Sequence, residues 1–312
     1  MSSSEISSVM SDLPNLFVSV IIPVFNDSER LQICLQALEQ QTYPKELYEV
    51  VVIDNNSHED IKNVASQFAQ VVLTRENRPG SYVARNTGLT ITKGDVIAFT
   101  DADCIPHSDW LMKGVAVLLS RSNVGLVAGR IDLFAKDPNN PNPIELYESI
   151  ALSFPQDKFL KDDNFGVTAN LFTFKKVLDD VGLFDETLKS GGDRQWGHRV
   201  FAKGYRQVYA DDACVDHPAR DSWEDLRKRS IRITGGRYDL MQKSIGSNLE
   251  ALKDLVMFLK PPFRSFFRIW TDERLHGAKQ KFQFTVVMLR VRWISTQERL
   301  RLQLGGGVSD RG

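Results

Sequence analysis

Several features that announce large protein classes are missing from this sequence. Its 312 residues hold 3 cysteines, Cys34, Cys104 and Cys214. These are far apart and odd in number, so neither a disulfide framework nor a zinc-ligand spacing is visible. A reducing compartment fits that usage, and a cytoplasmic location is expected. No apolar run reaches about 18 residues, so no bilayer-spanning helix is expected. The first 15 residues are rich in Ser and have no apolar core. They read as a disordered lead (1–15) rather than a signal peptide. No strand is followed by G-x-G-x-x-G, which argues against a dinucleotide-dependent oxidoreductase. Internal repeats and extended low-complexity segments are also absent.

What is present is ordinary in bulk and uneven in distribution. Apolar residues make up 42% and charged residues 25%, as in a soluble globular chain. The net charge is only -1, yet Met1–Ala219 carries 20 basic and 30 acidic residues while Arg220–Gly312 carries 19 basic and 10 acidic. A basic tail on an acidic body points to an anionic partner such as lipid headgroups or nucleic acid. The alternative is a helical tail whose basic residues pair with the body.

The first half alternates apolar runs with helical spacings. Phe17–Pro23, Tyr48–Ile53, Gln70–Leu73 and Asp95–Thr100 read as strands, the longer ones buried on both faces. Between them, Ser28–Gln41 places Leu31, Cys34, Leu35 and Leu38 at helical spacing, and Asp60–Phe68 and Ser81–Ile91 are further helices. Ser108–Leu119 is helical and Val124–Ala128 strand-like. Such alternation implies an α/β fold with a mostly parallel, Rossmann-like sheet flanked by helices. Ligands of such sheets lie beyond the carboxyl ends of the strands. Polar clusters sit at three of those ends: Asn26-Asp27, Asp54-Asn55-Asn56-Ser57 and Asp101-Ala102-Asp103.

The middle changes character. Lys136–Pro143 is a loop by its Pro and Asn content, and Gly166–Phe174 is strand-like. Asp193–Lys203 is helical, with Gly204 as its stop. Gln207–Ala210 and Ala213–Asp216 read as two short strands. After Arg220 the pattern is helical and basic, broken at Pro261-Pro262. Three segments result: 1–15, a catalytic domain over 16–219, and a basic helical extension over 220–312.

Two carboxylates one residue apart at a strand end repel one another unless a cation stands between them. Asp101 and Asp103 therefore suit a hard divalent ion bridging to phosphate, with a solvated acidic turn as the alternative. Asp54 suits a ribose hydroxyl or a base N–H, or it caps a turn. Arg75, Arg78 and Arg85 carry guanidinium groups fit for a diphosphate, and Arg85 ranks first because Asn86 and Gly88 follow it. Asp193, after Ser190-Gly191-Gly192, suits a general base and equally a helix N-cap. His217 closes a short strand and is either a metal ligand or structural.

Together these pieces resemble glycosyltransferase family 2, the inverting nucleotide-sugar enzymes of the GT-A fold. The resemblance runs over about 17–217. It rests on VSVIIPVFN, VVVIDNNS, ENRPGSYVARNTGL, GDVIAFTDADCIP, GVTANLFTFKKVLDDVGLFDE, the Gly-Gly-Asp of Gly191–Asp193, RVFAKGY and the strand ending at His217. It implies that Pro23, Val24 and Asn26 line the nucleotide pocket, together with Ala102. Asp54 would contact the base, usually uracil, and Arg85 the nucleotide or diphosphate. Asp101 would sit by the ribose and, with Asp103 and His217, near a Mn or Mg ion. Asp193 stands at the catalytic base. Family members usually carry an acidic residue just before that Asp, where this chain has Gly192.

The implied reaction is one in-line displacement at the anomeric carbon, giving a β-linked product from an α-linked donor. The enzyme is of the hexosyltransferase type, and its acceptor is a glycan or a lipid-linked molecule in polysaccharide or glycolipid synthesis. The Gln-x-x-Arg-Trp motif of processive synthases is absent, so one sugar is added per encounter. Trp196 either stacks on an acceptor ring or belongs to the core. Lys281–Leu304 and Pro262–Trp270 mix aromatics, aliphatics and arginines. They fit a peripheral position on the inner membrane face, or a helix packed on the catalytic domain. No nucleic-acid partner is expected.

Rival readings lack parts. A haloacid-dehalogenase-like phosphatase dependent on Mg places Asp-x-Asp on its first strand, followed by Thr or Val two places on; here the motif follows the fourth strand and Ile105 stands there. A nucleotidyltransferase wants a Gly-rich basic loop where this chain has PVFNDSER. A catalytically inactive nucleotide-sugar-binding subunit would have no use for intact Asp101, Asp103, Asp193 and His217.

Overall fold

The computed structural model describes residues 16–242 and 262–304; the expected disordered lead over 1–15 lies outside them. The chain divides into two compact units. The first comprises Met1–Asp132, Phe154–Glu186 and Gly192–His217. The second comprises Leu133–Ser153, Thr187–Gly191 and Pro218–Gly312.

An eight-stranded sheet in the order β3-β2-β1-β4-β7-β6-β8-β5 dominates the first unit. Its parallel part is β1 (Val18–Val24), β2 (Tyr48–Asp54), β3 (Val71–Arg75) and β4 (Val96–Thr100). β1, β2 and β4 are buried almost throughout, as runs of Val and Ile require when both faces are covered. The crossovers are α1 (Ser28–Glu39), α2 (Ile61–Ala65) and α3 (Ser81–Leu89). α1 buries the four residues whose spacing marked it, Leu31, Cys34, Leu35 and Leu38.

Beyond β4 the pairing reverses. β5 (Ile105–Pro106) and α4 (Trp110–Leu119) lead into β6 (Val124–Phe134), a strand longer than its apolar start. β7 (Asn170–Phe174) runs antiparallel to both β4 and β6. β8 (Arg206–Pro218) is one continuous strand where two were expected, and it pairs antiparallel with β5. Asp211 and Asp212, which look like a break, sit exposed within the strand. The parallel pairs are thus confined to the first four strands.

Buried amides tie the antiparallel half together. Asn170, fully buried, accepts from Trp110 Nε1 at 2.8 Å and donates to the carbonyls of Arg130 and Ala213 at 2.7 and 2.9 Å. Gln156 heads α6 (Gln156–Asp163) and donates to the carbonyls of Gly129 and Asn170. α7 (Lys175–Val181) and α8 (Gly192–Ala202) complete this unit.

The second unit is helical: α5 (Pro143–Ala151), α9 (Trp223–Gln242), α10 (Phe263–Thr271) and α11 (Gly277–Gln303). Asn142 caps α5 through a reciprocal pair of hydrogen bonds with Glu145. Its small core gathers Ile144, Tyr147, Leu226, Ile269, Phe284 and Val287. At the centre, fully buried Glu148 Oε1 lies 3.0 Å from Arg220 Nη1 and 2.8 Å from Arg229 Nη1. No helix among the described residues is long and apolar enough to cross a membrane.

Candidate active site

β1, β2 and β3 end level with one another and β4 ends on the same edge, so register brings their polar tips together. Val24 on β1 pairs with Asp54 on β2, and Asp54 with Arg75 on β3. After β1 the chain turns at Asn26, whose φ of 49° lies in the left-handed region that Asn tolerates. The Asn26 side chain accepts from the His58 N–H at 2.8 Å, and its own N–H donates to Ser57 Oγ at 2.9 Å. These bonds lock the β1 tip to the β2 tip. Pro23 and Val24 are the last two residues of β1, with Val24 buried.

Asp54 is buried and doubly engaged. One carboxylate oxygen accepts from the Ser57 N–H at 2.8 Å, and the other lies 3.4 Å from Arg75 Nη1. Asn55 holds the following loop by donating to the carbonyls of Glu76 and Arg78 and accepting from the Gly80 N–H. Of the three arginines, Arg78 is exposed and pairs with Glu76 and Glu186. Hydrogen bonds from Arg78 and from the Thr87 hydroxyl hold the Glu76 carboxyl pKa down at about 2. Arg85 differs: it is 3% exposed and pairs with Asp101. Its Nε is buried without a hydrogen-bond partner among the described residues. A buried donor left unmade is costly, so it marks where a ligand oxygen fits.

Asp101 follows β4 directly, and Ala102 behind it is buried. Asp103 Oδ2 lies 3.6 Å from His217 Nε2, near the end of β8. Asp103, Cys104 and His217 offer ligand atoms within 4.8 Å of one another. The Cys104 thiol is directed to the Ala169 carbonyl at 3.8 Å. The His217 ring leans on Phe154, centroids 5.4 Å apart, which fixes its plane. A carboxylate and an imidazole with a second carboxylate two residues away form a donor set that suits Mn or Mg. Next to them His107 Nε2 lies 3.2 Å from Asp216 Oδ2, a pair the sequence did not signal.

Asp193 stands in the first turn of α8 and is half-buried. The Arg194 N–H donates to Oδ1 at 2.9 Å and the Tyr82 hydroxyl to the same oxygen at 3.2 Å. Burial pushes its pKa above the usual carboxylate value, against the opposing pull of these donors and of Arg85. Tyr82 is a residue that sequence reasoning missed. It lies three residues before Arg85 on α3, and the Arg85 guanidinium sits 6.0 Å from its ring centroid. A continuous series therefore runs from Asp193 through Tyr82 and Arg85 to Asp101. Gly192 has a steric reason: a Cβ there would stand 2.7 Å from the Tyr82 ring. The acidic residue expected before Asp193 has its space filled by that phenol. Trp196 is fully buried, its Nε1 donating to the Gly182 carbonyl at 3.0 Å, so it belongs to the core.

Comparison with known proteins places this edge in context. Residues 19–182 match the family model for glycosyl transferase family 2. Glycosyltransferase AglE of Haloferax volcanii is 41% identical over 232 residues, covering 73% of this chain and 74% of that protein. Chondroitin synthase of Pasteurella multocida is 30% identical over 261 residues, which span 70% of this chain and 27% of that longer protein. Among solved structures, the mannosyltransferase PcManGT from Pyrobaculum calidifontis, in complex with GDP-Man and Mn2+, aligns over 95% of this chain and 93% of its own. The TM-score is 0.62 at 16% identity, a likeness of fold.

Proposed function

The chain belongs to glycosyl transferase family 2 and is a glycosyltransferase of the GT-A fold, and from that premise we propose that it transfers one sugar from a nucleotide-diphosphate sugar to an acceptor hydroxyl with inversion at the anomeric carbon. The first candidate donor is a UDP-sugar. The acceptor is a glycan or lipid-linked molecule. The observation that carries the reading is the series Asp193–Tyr82–Arg85–Asp101, which links a half-buried carboxylate to the acidic strand tips by direct contacts.

In this reading Pro23, Val24, Asn26 and Asp54 form the nucleotide side, with Asp54 held rigid by Ser57 and Arg75. Arg85, with a spare Nε donor, faces the diphosphate. Asp101, Asp103 and His217 would hold a divalent cation. When bound, such an ion supplies positive charge to the departing diphosphate. Asp193 accepts the proton of the attacking hydroxyl, and its raised pKa suits a base that returns that proton later. Tyr82 positions the carboxylate and leaves its second oxygen, Oδ2, to face the acceptor.

The basic second unit would carry the enzyme on an anionic membrane surface. Phe263 and Phe267 of α10 are 74% and 72% exposed, and Trp270 and Trp293 are also exposed. These aromatics alternate with Arg264, Arg268 and Arg292, a pattern suited to the lipid interface. Flotation with anionic liposomes tests this part; protein that stays wholly at the bottom refutes it.

A panel of nucleotide-sugars, scanned for thermal stabilisation with Mn or Mg and again with EDTA, tests the donor reading. Stabilisation by one nucleotide-sugar only with metal is expected. Anomeric NMR of the product tests inversion, and a product with retained configuration rules out Asp193 as a single-step base. Metal-dependent donor hydrolysis without acceptor separates an active enzyme from a mere binder.

A further inference from the structure

His107, Cys214 and Asp216 bring an imidazole, a thiol and a carboxylate to one place, with their ligand atoms within 4.8 Å of one another. The backbone explains why they meet. β5 and β8 run antiparallel with Ile105 opposite Asp216 and Pro106 opposite Val215, and the His107 N–H donates to the Cys214 carbonyl at 3.1 Å. Residues two apart on a strand share a face. Cys214 and Asp216 therefore point one way, while Val215, in the apolar core, and His217, beside Asp103, point the other. The set lies on the opposite face of β8 from the Asp103–His217 pair.

Its spacing is that of a small metal centre. Tetrahedral zinc holds nitrogen and oxygen at about 2.0–2.2 Å and sulfur at about 2.3 Å, which puts neighbouring ligand atoms about 3.3–3.5 Å apart. His107 Nε2 lies 3.2 Å from Asp216 Oδ2, so one edge of such a tetrahedron is already formed. The backbone of His107 is fixed, since Gln41 Nε2 donates to its carbonyl at 2.7 Å. Cys214 is 1% exposed, whereas the side chains of His107 and Asp216 are 42% and 39% exposed. A buried sulfur beneath two solvent-facing ligands gives an ion a way in and a water the fourth position.

The sulfur also has a prepared surround. Arg130 Nε donates to Cys214 Sγ at 3.4 Å, and the thiol is directed to Asp132 Oδ2, also at 3.4 Å. Arg130 is itself paired with Asp132 and Asp211 at 3.1 and 3.6 Å, so its charge is already met by carboxylates. When a metal binds, the S–H bond breaks, the sulfur–metal bond forms, and the proton passes to Asp132 and on to solvent. The Arg130 N–H then stays as a donor to the thiolate. Without a metal, burial pushes the Cys214 thiol pKa up to about 11, which argues against a free reactive thiolate here.

We infer that His107, Cys214 and Asp216 bind one zinc ion, distinct from the Mn or Mg of the proposed reaction. Sulfur and imidazole select a softer ion than the hard cations suited to Asp101 and Asp103. His107 follows Asp103 by four residues and Asp216 directly precedes His217. The ion would thus clasp the two segments that carry the Asp103–His217 pair and hold that pair in place. Zinc binding itself does not rest on the transfer reaction.

The test uses the full chain, stripped with EDTA and dialysed, with Co2+ as a spectroscopic probe of the zinc site. A thiolate-to-cobalt charge-transfer band in the near ultraviolet, saturating at one ion per chain, is expected. It should persist in excess Mg and disappear on adding zinc. The band should survive Cys104→Ser and vanish in Cys214→Ser. Competition against a chromophoric chelator reads zinc affinity, which His107→Ala and Asp216→Asn are each expected to weaken by about 100-fold. Circular dichroism and melting in EDTA check that the variants fold, and the two partly exposed positions keep the test open should Cys214→Ser not fold. Absence of the band from the parent chain overturns the site. A band lost in Cys104→Ser and kept in Cys214→Ser moves the ion to Asp103, Cys104 and His217 and overturns it as well. Loss of the band in excess Mg overturns the distinction between the two ions. Equal zinc affinity in the parent, His107→Ala and Asp216→Asn shows adventitious binding only and overturns the assignment.

Discussion

The sheet strands of the first unit and the helices of the second bury their side chains differently. In the first, β1, β2 and β4 are nearly all Val, Ile, Ala and Phe at little or no exposure, and charge gathers at the strand tips. In the second, the helices keep Phe263, Phe267, Phe282 and Trp293 exposed while Glu148, Arg229, Glu298 and Arg299 are buried. A core of apolar strands is stiff and holds a reactive edge to within fractions of an ångström. A helical unit with charge inside and aromatics outside is suited to a surface that is not water. Under the proposed function, chemistry and membrane attachment fall to differently built parts of one chain.

Three substitutions, one of them read in two ways, sharpen or break that contrast. The largest effect is expected from Asp193→Asn, which removes the base while keeping shape: turnover falls by ~2–4 orders of magnitude. Near-normal single-turnover rates in that variant would sink the assignment. Next is Glu148→Ala in the second unit, which leaves Arg220 and Arg229 facing a void. Losing one partner of a buried pair costs about 3–5 kcal/mol, read from urea melts followed by circular dichroism. A loss below about 1 kcal/mol would mean that water already reaches the pair.

Tyr82→Phe is expected to lower kcat about tenfold with KM little changed, since only one hydrogen bond to the base is lost. That bond favours the carboxylate, so its removal shifts the acid limb of the pH profile upwards. Activity needs ionised Asp193 and falls as pH drops through its raised pKa, so the parent limb also lies above the ordinary Asp value. Limbs that coincide in the two proteins would count against contact between the phenol and the base. The smallest effect concerns stability. Because the folded pKa of Asp193 is raised, its ionised form weakens the fold above that pKa, and the penalty fades as pH falls from the folded to the unfolded pKa and is absent below it. Asp193→Asn should therefore melt about 1–3 °C higher at neutral pH and show no gain in acid.

Much of the parallel half was legible because two periodicities suffice there. Apolar runs of strand length, separated by helical spacings, located β1 to β4 and α1, and their ends placed Asp54 and Asp101 on one edge. The antiparallel half was harder. β8 carries Asp211-Asp212 on an exposed stretch, which looks like an interruption although the strand runs unbroken from Arg206 to Pro218. Helices α5 and α6 were not foreseen: Asn142-Pro143 gives α5 its cap and first turn, but the surrounding Asn and Pro residues read as a loop. Gln156 and Asn170 are polar pins whose burial no local pattern announces. In the site, Arg85 was singled out over Arg75 and Arg78, and it alone of the three is buried. Tyr82 was missed because its partner lies 111 residues away, beyond the reach of any periodicity. The spacing of three to Arg85 was the available clue.

The contact between Gly192 and the Tyr82 ring makes these two positions a lock and its key. A side chain at 192 has room only if the ring leaves, and a smaller residue at 82 opens a hole beside the Asp193 carboxylate. Neither site can drift alone without passing through a damaged enzyme, whereas a paired exchange, Tyr82→Ser with Gly192→Asp, swaps a neutral wall for an acidic one. Under the proposed function, this gives an engineer a two-letter dial on the acceptor side.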